Sequence, residues 1–226
     1  MTRLIPVFLA LAYAYLLLRF SVWQTQKTLD ARSRPLRDTG IEALTARMAA
    51  ALEVPEIPVR VFEIEAVNGL AAHDGRIYLT AGFLARKAAG EVSEAELASV
   101  IAHELGHVAL GHARRRMIDF SGRNAVFILL SAVLNRFLPI IGIWIANLLS
   151  AALMARLSRR DEFEADAWAS ALLIKSGIGT APQKSLFLKL EALTGNRAAA
   201  PGWLTSHPPA TERIAAIEAN EARWTS

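Results

Sequence analysis

No cysteine occurs among the 226 residues. That absence excludes disulfides, thiolate zinc fingers, iron–sulfur clusters and cysteine nucleophiles. Charged residues are few, at 20%, and the chain contains no internal repeat, no low-complexity tract and no nucleic-acid-binding module. The 9 prolines and 13 glycines are scattered, which argues against wholesale disorder. What the chain has in quantity is apolar side chain: 53% of residues are hydrophobic and mean hydropathy is positive. The length allows one domain with a real core, and the hydropathy points to contact with a lipid bilayer.

The net charge of +4 is local. Residues 1–40 carry Arg3, Arg19, Lys27, Arg32, Arg34 and Arg37 against Asp30 and Asp38, while basic and acidic residues balance over the rest. A basic flank beside an apolar run reads as membrane topology, not as nucleic-acid binding. Residues 4–23 form that run, broken by Arg19. Twenty helical residues reach about 30 Å, one hydrocarbon core. A cleaved signal peptide is the competing reading, but Phe20-Ser21-Val22-Trp23-Gln24 offers no small-x-small cleavage site. Most of the basic residues follow the run, so the positive-inside rule puts the remainder in the cytoplasm, at the inner membrane. The expected division is a transmembrane anchor over 1–25, a basic linker over 26–40 and one folded domain over 41–226.

Periodicity predicts an α+β domain, mainly helical with a small sheet. Helices are expected over 41–52, stopped by Pro55 and Pro58, and over 83–89, 93–116, 159–175, 182–193 and 211–222. Strands are expected over 59–64 and 76–80, with turns at Asn68-Gly69 and Asp74-Gly75. Ser93-Glu94-Ala95-Glu96 is a capping box that opens the helix over 93–116. A second apolar stretch, 120–154, holds Asn135, Arg136 and Pro139 near its middle. A straight span would bury Arg136, and two full crossings need about 60 Å plus a turn. A helical hairpin that dips into or partly crosses the bilayer fits this stretch. A hydrophobic helix pair packed on the domain is the alternative.

The chemistry centres on His103-Glu104-Leu105-Gly106-His107. Histidines at i and i+4 share one helix face, and both imidazoles can reach one Zn2+ at about 2.0–2.1 Å. Glu104, about 100° around the helix, lies beside the metal and not on it. There it can take a proton from attacking water and pass it to a leaving amine. The bland alternative is a pair of structural histidines. A hydrolytic zinc also needs a third protein ligand. Ala113 stands where a metzincin would have its third histidine. His112 lies about 140° from His107 on a straight helix, which makes it a packing residue or a hydrogen-bond partner of a ligand. In Asp161-Glu162-Phe163-Glu164-Ala165-Asp166, Glu162 and Asp166 share a face and Glu164 points about 200° away from Glu162. Glu162 is therefore the better ligand, with Asp166 left to hold a ligand histidine; a solvated acidic patch is the alternative. His207, in an extended Ser-His-Pro-Pro loop, and Arg213 could polarise a scissile carbonyl. Against that stands a plain loop histidine with a helix-surface arginine. His73, beside a turn, reads as a surface residue.

HELGH at 103–107, EFEAD at 162–166 and HPPATER at 207–213, in that order, resemble the HtpX and CAAX-prenyl-protease group of membrane zinc metalloproteases, peptidase family M48. The likeness extends to Val67-Asn68-Gly69 and to Ile77-Tyr78-Leu79-Thr80-Ala81-Gly82, and covers about 40–220. It implies a gluzincin-like fold and one Zn2+ per chain held by His103, His107 and Glu162. Glu104 would be the base and Asp166 a support for the ligands. His207 and Arg213 would stabilise the transition state or latch the metal. Asn68 and the strand with Ile77, Tyr78 and Leu79 would form the edge that pairs with an extended polypeptide substrate. Gly69 departs from the family's usual alanine. One anchor cannot build the chamber of the multi-span prenyl proteases, so prenyl-protein processing is not expected, and misfolded or membrane proteins are the implied substrates. A zinc-binding chaperone without catalysis is the other alternative, weakened by the intact Glu104.

Overall fold

The computed structural model describes residues 5–72, 74–112, 115, 127–128, 130–138, 141–193 and 208–225. The described chain is mainly helical with one small mixed sheet. In order it comprises α1 (Ile5–Ala31), β1 (Ser33–Pro35), α2 (Thr39–Leu52), β2 (Val59–Phe62), β3 (Gly69–Ala71), β4 (Ile77–Thr80), α3 (Ala81–Ala88), α4 (Glu94–Ala109), α5 (Ile141–Lys175), α6 (Ala181–Leu193) and α7 (Ala210–Thr225).

Local chemistry sets the helix starts. Asp38 caps α2 by accepting from the Ile41 amide at 3.2 Å. The expected capping box on α4 forms: Ser93 Oγ accepts from the Glu96 amide at 3.2 Å, and Glu96 accepts from the Ser93 amide at 2.7 Å. Lys189 and Ser185 of α6 donate to the same Glu96 carboxylate, at 2.8 and 2.7 Å, so the cap also ties α6 to the start of α4.

The core forms around α4. Leu97, Val100 and Ile101 are buried against Ile41 and Met48 of α2, Val61, Ile77 and Leu79 of the sheet, Leu172 and Leu173 of α5, and Leu186 and Leu190 of α6. Burying side chains of this size contributes about 1.5–3 kcal/mol each. The sheet runs β1-β2-β4-β3, with β2 and β4 parallel and the other pairs antiparallel.

Four expectations change. The 26–40 segment is no free linker: α1 runs on to Ala31 and 33–35 form β1. The α4 helix stops at Ala109 instead of near 116, at a turn where Gly111 adopts φ +66. The predicted 159–175 helix is the second half of the 35-residue α5. Finally, β4 lies inside the sheet, and the outer strands are β1 and β3.

The two halves of α5 differ. Ile141, Trp144, Leu148 and Leu149 are exposed, whereas Asp161, Glu162, Ala165, Asp166, Ala169 and Leu173 are buried in the domain. Among the described residues α5 is long and apolar enough to cross a membrane. Residues 130–137 are helical, and Gly142 lies directly against Leu134 and Asn135.

The last turn of α1 is fastened to the β3–β4 hairpin. Gln26 donates to Asp74 at 3.1 Å, Arg76 bridges Asp30 and Asp74, and Leu29 packs with Ala72 and Tyr78.

Candidate active site

Helix α4 presents His103 and His107 one turn apart, and α5 crosses it closely enough to bring Glu162 opposite. The crossing depends on Gly106: a Cβ there would fall 2.9 Å from the Ala165 carbonyl oxygen and 3.1 Å from Ala165 Cα. His103 Nε2 and His107 Nε2 are 3.1 Å apart. Glu162 carboxylate oxygens lie 3.3 Å from the first and 3.5 Å from the second. The three ligand atoms all lie within 4.8 Å of one another. Two imidazole nitrogens and a carboxylate converging in this way form the donor set that zinc prefers.

The His103 ring is held from behind. Its Nδ1 donates to Asp166 Oδ1 at 2.9 Å, which leaves the Nε2 lone pair facing the cluster. Burial opposes a charge on His103, but the bonds to Asp166 and Glu162 outweigh it and push the imidazole up to about 9. The pocket therefore favours positive charge, as a cation would supply. Burial also opposes charge on Asp166, and the Arg213 guanidinium overcomes it, holding the carboxyl below its ordinary value.

Arg213 lies behind His103, buried among the site residues. It is 2% exposed. Its guanidinium grips Asp166 through Nε at 2.7 Å and Nη2 at 2.6 Å and stacks 3.8 Å over Phe187. Through Asp166 it supports the His103 side of the site. His207 lies outside the described residues.

Glu104 is buried beside the cluster, under the start of β3. A Cβ on Gly69 would lie 2.5 Å from Val100 Cγ1 and 3.3 Å from Glu104 Oε1, so glycine lets the edge strand run directly over the carboxylate. Asn68 is fixed just ahead of that strand by exchange with Thr80, its amide donating to Thr80 Oγ1 at 3.0 Å and its carbonyl accepting from the Thr80 amide at 3.1 Å. Ile77, Tyr78 and Leu79 are fully buried on the interior strand β4. Their backbone partners are β2 and β3, so they cannot pair with an incoming chain; β3 is the strand beside Glu104 that can.

Sequence reasoning also missed an ionic group behind His107. Arg115 donates to Asp161 at 3.0 Å and to Glu164 at 2.6 Å, and Arg160 donates to Glu164 at 2.8 Å. The hydrogen bond from Arg115 above all holds the Glu164 carboxyl down, at about 2. The pairing of a further histidine, His112, with two further carboxylates in the acidic motif was the available signal.

The family profile described as Peptidase family M48 matches residues 35–221. The chain is 31% identical over 154 residues to a protein of Escherichia coli (strain K12) named Metalloprotease YcaL, covering 68% of this chain and 58% of that protein. To Metalloprotease LoiP of the same organism it is 30% identical over 154 residues, with the same two coverages. The chain thus spans less than two thirds of the length of these relatives. The profile runs through the sheet, the histidine helix, the carboxylate helix and the helix of Arg213, and the chain belongs to peptidase family M48.

Proposed function

We propose that the chain is a membrane-anchored, zinc-dependent endopeptidase. The observation that carries this reading is the convergence of His103, His107 and Glu162 beside Glu104, under the edge strand that opens at Gly69. His103, His107 and Glu162 would hold one zinc ion, which when bound supplies Lewis-acid polarisation of a carbonyl and acidifies water. The chain's own residues do the rest. The backbone of β3, from Gly69 to Ala71, pairs with an extended polypeptide and lays its scissile bond across Glu104. Asn68 fixes the start of that strand. Glu104 accepts the proton of the attacking water and returns it to the leaving amine. Asp166, clamped by Arg213, keeps the His103 ring in one tautomer and one orientation.

Residues 1–25 serve as anchor in this reading, and the exposed apolar half of α5 rests in or on the bilayer. The metallopeptidase domain over 41–226 lies on the cytoplasmic side by the charge rule. Substrates are misfolded or membrane proteins with an extended segment near the surface. His207, ahead of α7 in the sequence, would help polarise the scissile carbonyl.

The test is hydrolysis of an unfolded protein by the detergent-purified chain, with bound zinc quantified. Glu104→Gln should keep its zinc and lose about 10²–10⁴-fold in rate, the usual worth of a general base. Zinc-loaded wild type that cleaves nothing, or a Gln variant that cleaves normally, refutes the proposal.

A further inference from the structure

The hydrogen bond behind His107 has a different character from the one behind His103. His107 Nδ1 lies 2.8 Å from His112 Nδ1, and the two rings meet edge to face with centroids 4.9 Å apart. His112 is buried, and its Nε2 is 3.3 Å from Glu164 Oε2. Position 112 sits one residue past the left-handed Gly111. The turn ends α4 and swings the chain back, which brings His112 onto the rear of His107 although a straight helix would carry it away.

Proton placement along this chain is forced by what each end faces. His107 Nε2 faces the metal cluster and must present a lone pair, so its Nδ1 carries the hydrogen. His112 Nδ1 must accept that hydrogen, so the His112 proton is on Nε2, where it donates to Glu164. We propose that His112 is a positioning residue for metal binding: it fixes the tautomer and ring plane of His107 and hands the interaction on to Glu164, which Arg115 and Arg160 anchor. This rests on the metal-centre reading above. His112, Asp161 and Glu164 also offer ligand atoms within 4.8 Å of one another. They are not a second metal site, because the Arg115 guanidinium already lies against both carboxylates. The two ligand histidines are therefore supported unequally. His103 donates to a carboxylate, and His107 donates to a neutral imidazole with the carboxylate one step further off. Partners of this kind govern ring orientation and ligand basicity.

The experiment is zinc affinity of the detergent-purified full chain by chelator competition, with the absorption spectrum of the Co2+-substituted protein. His112→Leu removes the acceptor at similar bulk. It should weaken zinc by about 10- to 100-fold and alter the Co2+ bands. His112→Asn can offer a carbonyl oxygen where Nδ1 stood, and should recover most of the affinity and the wild-type spectrum. Glu164→Gln, at the partly exposed end, should lose affinity by less than His112→Leu. Wild-type affinity in His112→Leu, or an Asn variant no better than Leu, overturns the relay. A wild-type chain without zinc, or undiminished zinc binding by His107→Ala, overturns the metal centre itself, a result distinct from failure of the relay alone.

Discussion

Gly106→Ala adds one methyl group to the helix that carries His103 and His107 without touching a candidate ligand. The new carbon would stand 2.9 Å from the Ala165 carbonyl oxygen and 3.1 Å from Ala165 Cα, both backbone atoms that no rotamer change can move. Comfortable carbon contacts begin near 3.5 Å, so α4 and α5 must separate by roughly 0.5 Å at this point. Glu162 rides on α5 three residues before Ala165, and the histidines flank Gly106 on α4. Metal–ligand bonds tolerate about 0.2 Å, so binding zinc must draw the helices back together against the methyl group. Overpacking of this kind costs about 1–3 kcal/mol, and charged to zinc binding it weakens affinity by roughly 5- to 150-fold. Chelator competition on the detergent-purified chain measures this directly, and a thermal melt of the metal-free form should change less than that of the zinc form. Wild-type zinc affinity in Gly106→Ala would refute the argument that this crossing sets the site's geometry.

Arg213→Met leaves Asp166 buried and uncompensated, and should destabilise the fold by about 3–5 kcal/mol in denaturant melts. Asp166→Asn should instead spare most of the stability and weaken zinc by about 10- to 100-fold in chelator titration. Gly69→Val should abolish peptide hydrolysis while zinc stays bound, because its side chain would collide with Val100 and crowd Glu104; metal content and turnover measured together decide it. Asp38→Ala should cost about 1 kcal/mol of stability through the lost α2 cap. Burial raises the Asp38 carboxyl, but the bonds from Lys87 and the Ile41 amide outweigh it and hold it below 3.8. Its contribution is therefore complete above pH about 4 and lost as pH falls through the lowered value, so acid melts of wild type and Asp38→Ala should converge there.

Patterns that act within one helix were legible in the sequence. The spacing of His103 and His107, the capping box at Ser93 and Glu96, and the shared face of Glu162 and Asp166 are all fixed by 3.6-residue geometry. Features that depend on what an element packs against were not. The turn signals before residues 76–80 mark a strand but cannot say whether it lies inside or at the rim, and Ile77, Tyr78 and Leu79 proved interior. Arg213 was legible as a site candidate but its partners were not, because nothing local discloses Asp166 or Phe187 waiting on two other helices. His112 reads in the sequence as a packing residue or a hydrogen-bond partner of a ligand, and it does lie on His107, but angular arithmetic could not say which ligand, because it assumes a continuous helix and Gly111 ends it. The apolar half of α5 and its acidic half read as separate elements because composition changes abruptly while the backbone does not.

The fastening of α1 to the β3–β4 hairpin bears on how far the cleft could move from the proposed anchor. Many membrane-tethered domains hang from a leash and sample a wide shell of space. Here the helix meets the sheet through Leu29, Gln26 and Asp30, and the same hairpin carries the strand that lies over Glu104. On the membrane-anchored reading proposed above, anchor and cleft would be joined like a stalk and its head, and the stalk, not diffusion, would set the height of the cleft above the lipid. Cutting the chain at residue 32 would strip the cover from Tyr78 and Ala72 and take Asp30 from Arg76. Such a fragment would have a loosened cleft as well as a lost tether.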